Sequence, residues 1–197
     1  MQRKKIGKSN HTIHAVDKDV QLDASSVLSS WTNNTFLFPE EKNHQGKVIR
    51  KGFRKPQRGA LYAIKAHWTV SNDAATIIMP TGTGKTEVMI ATVVSEHIKK
   101  TCIIVPSKLL HEQTTTRFST LGELFNIGAI DKSFKVPIVG CLKSSPDDLN
   151  ELRYLINESN IIVTTMALLD SKKFQASFLT LLVNECDTLI IDEAHHI

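Results

Sequence analysis

Cysteine is scarce in this 197-residue chain, and long apolar runs are absent. The three cysteines, Cys102, Cys141 and Cys186, form no CxxC pair, which predicts reduced thiols in a cytoplasmic protein and argues against a disulfide framework. No stretch approaches the roughly 18 consecutive apolar residues that a transmembrane helix needs. The basic N-terminus also lacks the apolar region of a secretory signal. We therefore expect a protein with no membrane partner.

The histidines lack the neighbours that a zinc site requires. They include two close pairs, His11 with His14 and His195 with His196. Neither pair has a cysteine or a third histidine at zinc-site spacing, so the sequence argues against a zinc site built on them.

Positive charge is concentrated at the start of the chain. The composition, 41% apolar and 22% charged, is typical of a globular protein, and the net charge is +4. Residues 1–58 carry twelve Lys and Arg against five Asp and Glu, a balance of +7. Residues 59–197 carry twelve against fifteen, a balance of −3. A basic leading segment can contact a nucleic-acid backbone, and a solvated, partly flexible arm is the alternative.

Regular patterning begins near residue 51. Residues 1–50 predict an N-terminal extension of uncertain order, in which 36–38 are the candidate for a short strand. Beyond it, short apolar runs alternate with amphipathic stretches, which predicts an α/β fold with a parallel sheet covered on both faces. Such sheets bind ligands at the carboxyl ends of their strands. The predicted strands cover 76–80, 101–106, 137–142, 160–165 and 187–192, and the predicted helices cover 56–70, 85–100, 107–121, 145–159 (capped by Ser144 or Ser145) and 167–185.

The sequence TGTGKT, residues 81–86, lies between a predicted strand and a predicted helix. Glycines at 82 and 84 allow a tight turn and a close approach of the backbone to an anion, which the helix N-terminus also favours. Lysine then reaches the β and γ phosphates of a nucleotide, and the following threonine is placed to bind Mg²⁺. Met79 stands where the full phosphate-loop pattern has glycine. The predicted nucleotide-binding residues here are Thr81, Gly82, Thr83, Gly84, Lys85 and Thr86.

Two adjacent carboxylates end the last predicted strand and supply the second half of an ATP site. Asp192 is placed to hold the magnesium ion through a water, together with Thr86. Glu193 is placed to polarise the attacking water, while Lys85 offsets charge on the phosphates. We therefore expect ATP and Mg²⁺ as cofactors, with Glu193, Lys85 and Asp192 as the catalytic residues.

Together, PTGTGKT and DEAH resemble motifs I and II of superfamily 2 helicases and translocases of the DEAD/DEAH-box group. The segment at 53–61 is similar to the family's Q-motif region, which implies that Gln57 contacts the adenine edge and that Arg54 lies nearby. The resemblance further implies that His195 couples the nucleotide site to neighbouring motifs. His196 has no role in it, and Arg117 is expected to be a solvated helix residue.

Two further segments follow in the family's order. The sequence VPSKLLHEQ (105–113) is similar to motif Ia, and VTTMALL (163–169) is similar to motif Ib. In the family these motifs present backbone amides and hydroxyls to nucleic-acid phosphates, which positions a strand without reading its bases. The resemblance therefore implies nucleic-acid contacts at Pro106, Ser107, Gln113, Thr164 and Thr165.

The resemblance implies a RecA-like P-loop NTPase lobe over residues 51–197, truncated after motif II. We expect a second RecA-like lobe in a longer protein, because such a lobe supplies an arginine finger worth on the order of 10³ to 10⁵ in rate. We therefore expect the 197-residue chain alone to hydrolyse ATP slowly or not at all. We also expect it to expose apolar surface and an open sheet edge.

The expected function is that of an ATP-dependent DNA helicase or translocase similar to restriction-enzyme motor subunits and to helicases of anti-phage defence. DNA is favoured over RNA as the partner, and a nuclease or defence partner is left open. A DEAH-type RNA helicase is the first alternative, although those proteins usually carry a GETGSGKT-like loop where this chain has MPTGTGKT. A nucleotide-binding module without catalysis is the second.

Overall fold

The computed structural model describes residues 2–6, 11–15 and 23–194. Over these residues the chain forms a six-stranded sheet in the order β1-β2-β6-β7-β5-β8 and a separate hairpin, β3–β4. The strands are β1 (Gln2–Ile6), β2 (His11–Ala15), β3 (Lys42–His44), β4 (Lys47–Arg50), β5 (Thr101–Val105), β6 (Val139–Cys141), β7 (Ile161–Thr165) and β8 (Thr188–Ile191). The helices are α1 (Ala24–Thr32), α2 (Lys55–Val70), α3 (Lys85–Ser95), α4 (Lys108–Ser119), α5 (Leu149–Asn157), α6 (Met166–Leu169) and α7 (Ala176–Glu185).

The parallel strands β6, β7, β5 and β8 confirm the predicted α/β fold with a parallel sheet. All residues of β5 and β6 are buried, as are the first four of β7, because these strands have helices on both faces and apolar side chains point to each. The register aligns Val105 with Thr165 and Ile104 with Ile191. The carboxyl ends of three strands therefore meet at one edge of the sheet.

The N-terminal residues enlarge this sheet. Strand β2 pairs antiparallel with β6, and β1 pairs antiparallel with β2, so the complete sheet is mixed. Helix α1 packs nearby through Trp31, which is fully buried and donates a hydrogen bond from Nε1 to the Lys135 carbonyl at 2.9 Å. The division of the chain near residue 50 stays a prediction.

The strand predicted at 36–38 is wrong. Phe36 and Phe38 instead pack against each other and against the buried Phe53, with ring centroids 5.0 to 6.3 Å apart. Phe36 and Phe38 therefore belong to a local aromatic cluster and not to a strand.

The strand predicted at 76–80 is also wrong. Residues 71–84 contain no helix or strand, and Ile78 is 92% exposed. An apolar run forms a strand only where a neighbour offers hydrogen-bonding groups. Within the described residues β8 is hydrogen-bonded to β5 alone, so its other edge is open. The open edge of β8 carries the exposed apolar surface that the sequence predicts, since Leu189 is 50% exposed and no residue of β8 is fully buried.

Other elements differ from their predicted bounds. Helix α5 begins after Asp148, whose carboxylate accepts a hydrogen bond from the Glu151 amide at 2.8 Å, so Asp148 is the cap in place of Ser144 or Ser145. The long helix predicted at 167–185 is two helices, α6 and α7, because residues 170–175 form turns between them. Helix α3 ends at Ser95, ahead of its predicted end at 100, as His97 adopts a left-handed conformation.

All three cysteines are free, and Cys102 and Cys141 are buried. Among the helices of the described ranges, none combines the length and the apolar character that crossing a bilayer requires.

Candidate nucleotide site

The loop TGTGKT is shaped by two glycines in the left-handed region. Gly82 has φ of 77° and Gly84 has φ of 89°, and Gly84 immediately precedes Lys85, the first residue of α3. Thr83 stabilises the turn by donating its hydroxyl to the Pro80 carbonyl at 2.5 Å. The backbone amides at the start of α3 have no earlier helical turn to bond to, and the helix dipole favours an anion beside them. Thr81 and Gly82 are exposed, so the loop is open to solvent.

Gln57 and Arg54 lie directly against this loop. A Cβ atom at Gly84 would come within 2.2 Å of the Gln57 amide nitrogen, so a larger residue there would displace the Gln57 side chain and would be strained by the φ of 89°. Arg54 donates from its guanidinium to the Gly82 carbonyl at 3.2 Å. Gln57 is 4% exposed, and its side-chain oxygen accepts the Arg54 amide at 2.9 Å, which caps the start of α2. The structure therefore brings these two residues to the phosphate loop from a separate helix.

An ion pair joins the two halves of the predicted ATP site. The Lys85 ammonium donates to the Glu193 carboxylate, although the two residues are 108 positions apart in the chain. Glu193 follows β8 with φ of 54°, a left-handed conformation that is uncommon for a residue with a side chain. Asp192 donates its backbone amide to the Ile104 carbonyl at 2.9 Å, so β5 fixes the turn that carries both acids.

Asp192 and Glu193 form a locally acidic end of β8. Burial raises the pKa of the Asp192 carboxyl, and the charge of Glu193 raises it further, against the opposing effect of Lys85. A raised carboxyl pKa means that the ionised form lacks sufficient compensating positive charge. A divalent cation beside Asp192 would supply that charge.

Thr86 and Asp192 line one cavity of about 530 Å³. Its opposite wall is α4, which contributes side chains between Leu109 and Arg117, including Gln113. A hydroxyl and a carboxylate oxygen are the hard ligands that Mg²⁺ prefers, and it commonly binds proteins through only one or two of them. These two side chains have the donor chemistry for a magnesium ion, and the glycine loop lies directly before Lys85 and Thr86.

The residues of the two predicted nucleic-acid segments share the carboxyl edge of the sheet. Ser107 follows β5 and caps α4, accepting the Leu110 amide at 3.2 Å, and Thr165 ends β7 and caps α6 in the same way. Pro106 is partly buried and Gln113 is exposed on α4. Thr164 is fully buried, and its hydroxyl has no hydrogen-bond partner among the described residues. Two of the predicted hydroxyls therefore have a capping role.

Sequence reasoning missed a carboxylate next to the phosphate loop. Glu87 is 6% exposed and accepts hydrogen bonds from the Arg117 guanidinium and, at 2.8 Å, from the Glu123 amide. Gly122, with φ of 54°, makes room for it, since a Cβ there would lie 2.5 Å from a Glu87 oxygen. Arg117 is a helix residue with a side chain 43% exposed, in line with the solvated position expected for it, and it also pairs with Glu87. The sequence around Glu87 does not indicate this pairing, because Arg117 is 30 residues further along the chain.

His195, predicted to couple the site to other motifs, lies outside the described residues.

Comparison with known proteins assigns the chain to a family. The sequence model of one family, described as type III restriction enzyme, res subunit, matches residues 50–197, which are 148 of the 197 residues. Comparison with curated proteins gives no match. The family's domain is a helicase-like ATPase lobe of superfamily 2 and works as part of an ATP-dependent motor. The match covers far more than half of the chain. The chain therefore belongs to the family of type III restriction enzyme res subunits.

Proposed function

We propose that the chain is the ATP-binding lobe of a DNA helicase or translocase that couples ATP hydrolysis to movement along duplex or single-stranded DNA. The observation that carries the proposal is the Lys85–Glu193 ion pair, which unites the phosphate loop with the carboxylates after β8. Thr86 and Asp192, the proposed cation ligands from the two segments, line one cavity, which supports the proposal. Residues 51–197 form this lobe, and a second RecA-like lobe completes the motor in the cytoplasm.

Each residue of the site has a defined task. Bound ATP and Mg²⁺ would supply the phosphoanhydride bond to be cleaved and a cation that offsets its developing charge. Lys85 exchanges Glu193 for the β and γ phosphates, which releases the Glu193 carboxylate to orient and deprotonate a water. Thr86 and Asp192 would hold the cation, and Gln57 with Arg54 would contact the base. Thr81, Gly82, Thr83 and Gly84 surround the phosphates.

The edge that carries Pro106, Ser107 and Thr165, together with the exposed Gln113 on α4, supplies the nucleic-acid contact in this proposal. Thr164 is fully buried and supports this edge from inside β7. The adjacency of β5 and β7 supports it, because Val105 pairs with Thr165 and the following residues emerge at the same edge. Backbone amides and hydroxyls at such an edge contact phosphates without reading sequence. His195 follows the carboxylates after Ala194 and is proposed to transmit nucleotide binding to this edge.

ATP turnover by the intact protein, with and without nucleic acid, tests the proposal. We expect duplex or single-stranded DNA to raise the ATPase rate, and RNA to raise it less. A Lys85→Ala variant should lose turnover, whereas Lys99→Ala removes an exposed lysine after α3 and should keep it. An ATPase rate unaffected by any nucleic acid would contradict the motor. Stimulation by RNA alone would favour the RNA-helicase alternative, and ATP binding without turnover would favour a non-catalytic module.

A further inference from the structure

The hairpin β3–β4 extends from the fold with both faces open. Every residue from Lys42 to Lys51 is exposed, so the hairpin buries no face against the sheet or the helices. A two-stranded hairpin is marginally stable on its own in water. This one includes Val48 and Ile49 at 48% and 64% exposure. Packing against the described core therefore does not account for the residues of this hairpin.

A rigid base fixes the direction of the hairpin. Glu40 and Phe53 pair at its two ends, and the Phe53 amide donates to the Pro39 carbonyl at 2.8 Å. Gly52 permits this approach, since a Cβ there would lie 2.4 Å from the Glu40 carbonyl carbon. Phe53 is buried, and the next residue, Arg54, bonds to the phosphate loop. The hairpin is thus attached firmly beside the nucleotide site.

Positive charges face each other across the hairpin. Residues 42–72 contain eight Lys and Arg and no Asp or Glu. The register pairs Lys42 with Arg50, and Lys47 begins the second strand opposite His44. Like charges directly opposite each other destabilise a strand pair. Within the described residues, Lys42, Lys47 and Arg50 make no ion pair, whereas Arg58, on α2, pairs with Glu40 at 2.9 Å. An anionic partner would relieve this repulsion.

The shape of the hairpin favours double-helical DNA as that partner. The two-residue loop has positive φ at both Gln45 (50°) and Gly46 (75°), as in the turns that match the natural twist of a hairpin. A two-stranded ribbon fits the B-DNA major groove, which is about 12 Å wide and lined by phosphates, whereas the major groove of A-form RNA is too narrow. We propose that Lys42, Lys47 and Arg50 of the β3–β4 hairpin contact the phosphate backbone of duplex DNA. The inference rests on the proposed function in taking nucleic acid as the substrate.

Salt-dependent binding of the intact protein to a fluorescent DNA duplex, without ATP, tests the inference. The triple variant Lys42→Gln, Lys47→Gln, Arg50→Gln should bind on the order of a hundredfold more weakly near 0.1 M salt. The slope of log affinity against log salt should fall by about 2 to 3, near 0.9 per lost phosphate contact. The matched control Lys132→Gln, Lys172→Gln, Lys173→Gln removes three exposed charges elsewhere and should keep the slope. Arg50→Lys retains the charge and should also keep it.

Three results would overturn the inference. They are an unchanged slope in the hairpin variant, an equal loss in the control variant, and an equal loss on single-stranded DNA and on duplex RNA. Circular dichroism and thermal unfolding of each variant ensure that a lost fold is not mistaken for a lost contact. If the hairpin inference is wrong, DNA still stimulates the ATPase of the unmodified protein. If the proposed function is wrong, that stimulation is absent.

Discussion

The two sides of the sheet differ in how they are held. Strands β7 and β5 lie in the packed interior, where Ile103 and Val163 have no exposed surface. Strand β8 and the segment before the phosphate loop lie at the other side, where Leu189 is 50% and Ile78 is 92% exposed. The predicted chemistry is concentrated on the less packed side.

Polar contacts hold the phosphate loop on that side. The Lys85–Glu193 pair, the Arg54 bond to the Gly82 carbonyl and the bonds of Glu87 to Arg117 and Glu123 position the loop and the first turn of α3. The later turns of α3 pack through buried apolar residues such as Ile90 and Ala91. Polar contacts exchange partners when a charged ligand arrives, which packed apolar side chains cannot do. The comparison therefore predicts that substitutions on the packed side lower stability, whereas those on the open side alter ligand binding and turnover.

Replacement of a central apolar residue should have the largest effect on stability. Ile103→Ala on β5 leaves a cavity in a fully buried position and should lower the free energy of unfolding by about 2 to 5 kcal/mol. Ile78→Ala is the matched control on the open side, and it should change this free energy by less than about 0.5 kcal/mol. Urea unfolding followed by circular dichroism measures both. Equal losses in the two variants would mean that the two sides do not differ as described.

Removal of the buried carboxylate near the loop should have an intermediate effect. Glu87→Gln keeps the shape but weakens the bonds to Arg117 and to the Glu123 amide, so the free energy of unfolding should fall by about 1 to 3 kcal/mol. Glu123→Gln is a suitable control, because the Glu123 side chain is 47% exposed. If Glu123→Gln lowers the free energy of unfolding as much as Glu87→Gln does, the buried carboxylate does not anchor α3 to the end of α4.

Acid should weaken the packed side through two buried histidines. Burial lowers the pKa of His11, against the opposing charges of Glu151 and Asp147, and burial also lowers the pKa of His111, which bonds to the Val163 carbonyl. Both histidines therefore bind protons more readily in the unfolded chain, so stability falls as the pH drops below about 6.5. The upper limit is about 1.4 kcal/mol per pH unit for each histidine.

Urea unfolding at several pH values between about 7.5 and 5 measures this dependence. His111→Gln should be less stable near neutral pH but should show a shallower decline with acid. A stability that rises as the pH falls, or a variant with the same pH slope as the unmodified protein, would contradict the assignment of buried neutral histidines.

Local patterns in the sequence were sufficient for part of this account. The strands around Ile103 and Val163 are continuous apolar runs, and TGTGKT and DEAH carry their chemistry in adjacent residues. The family match over residues 50–197 and the parallel strands confirm the α/β lobe that those patterns predicted. The assignment of individual site residues stays a prediction.

Features that depend on distant partners could not be predicted in this way. The run at 76–80 resembles any buried strand, but its exposure depends on whether a neighbouring strand pairs with it. Glu87 and Arg117 are ordinary helix residues until folding brings α3 beside the end of α4. The same holds for Gln57, whose contact with Gly84 was visible only in three dimensions.

The measurement that tests the central claim most directly is ATP binding and hydrolysis by a Glu193→Gln variant of the intact protein. Glu193 is proposed to activate water and, before ATP arrives, to pair with Lys85. Removal of its charge should lower the hydrolysis rate by about 10² to 10⁴. ATP affinity should be unchanged or higher, because ATP no longer has to break the Lys85–Glu193 ion pair in order to bind Lys85. Hydrolysis at the unmodified rate would contradict the claim that the phosphate loop and the carboxylates after β8 form one catalytic site.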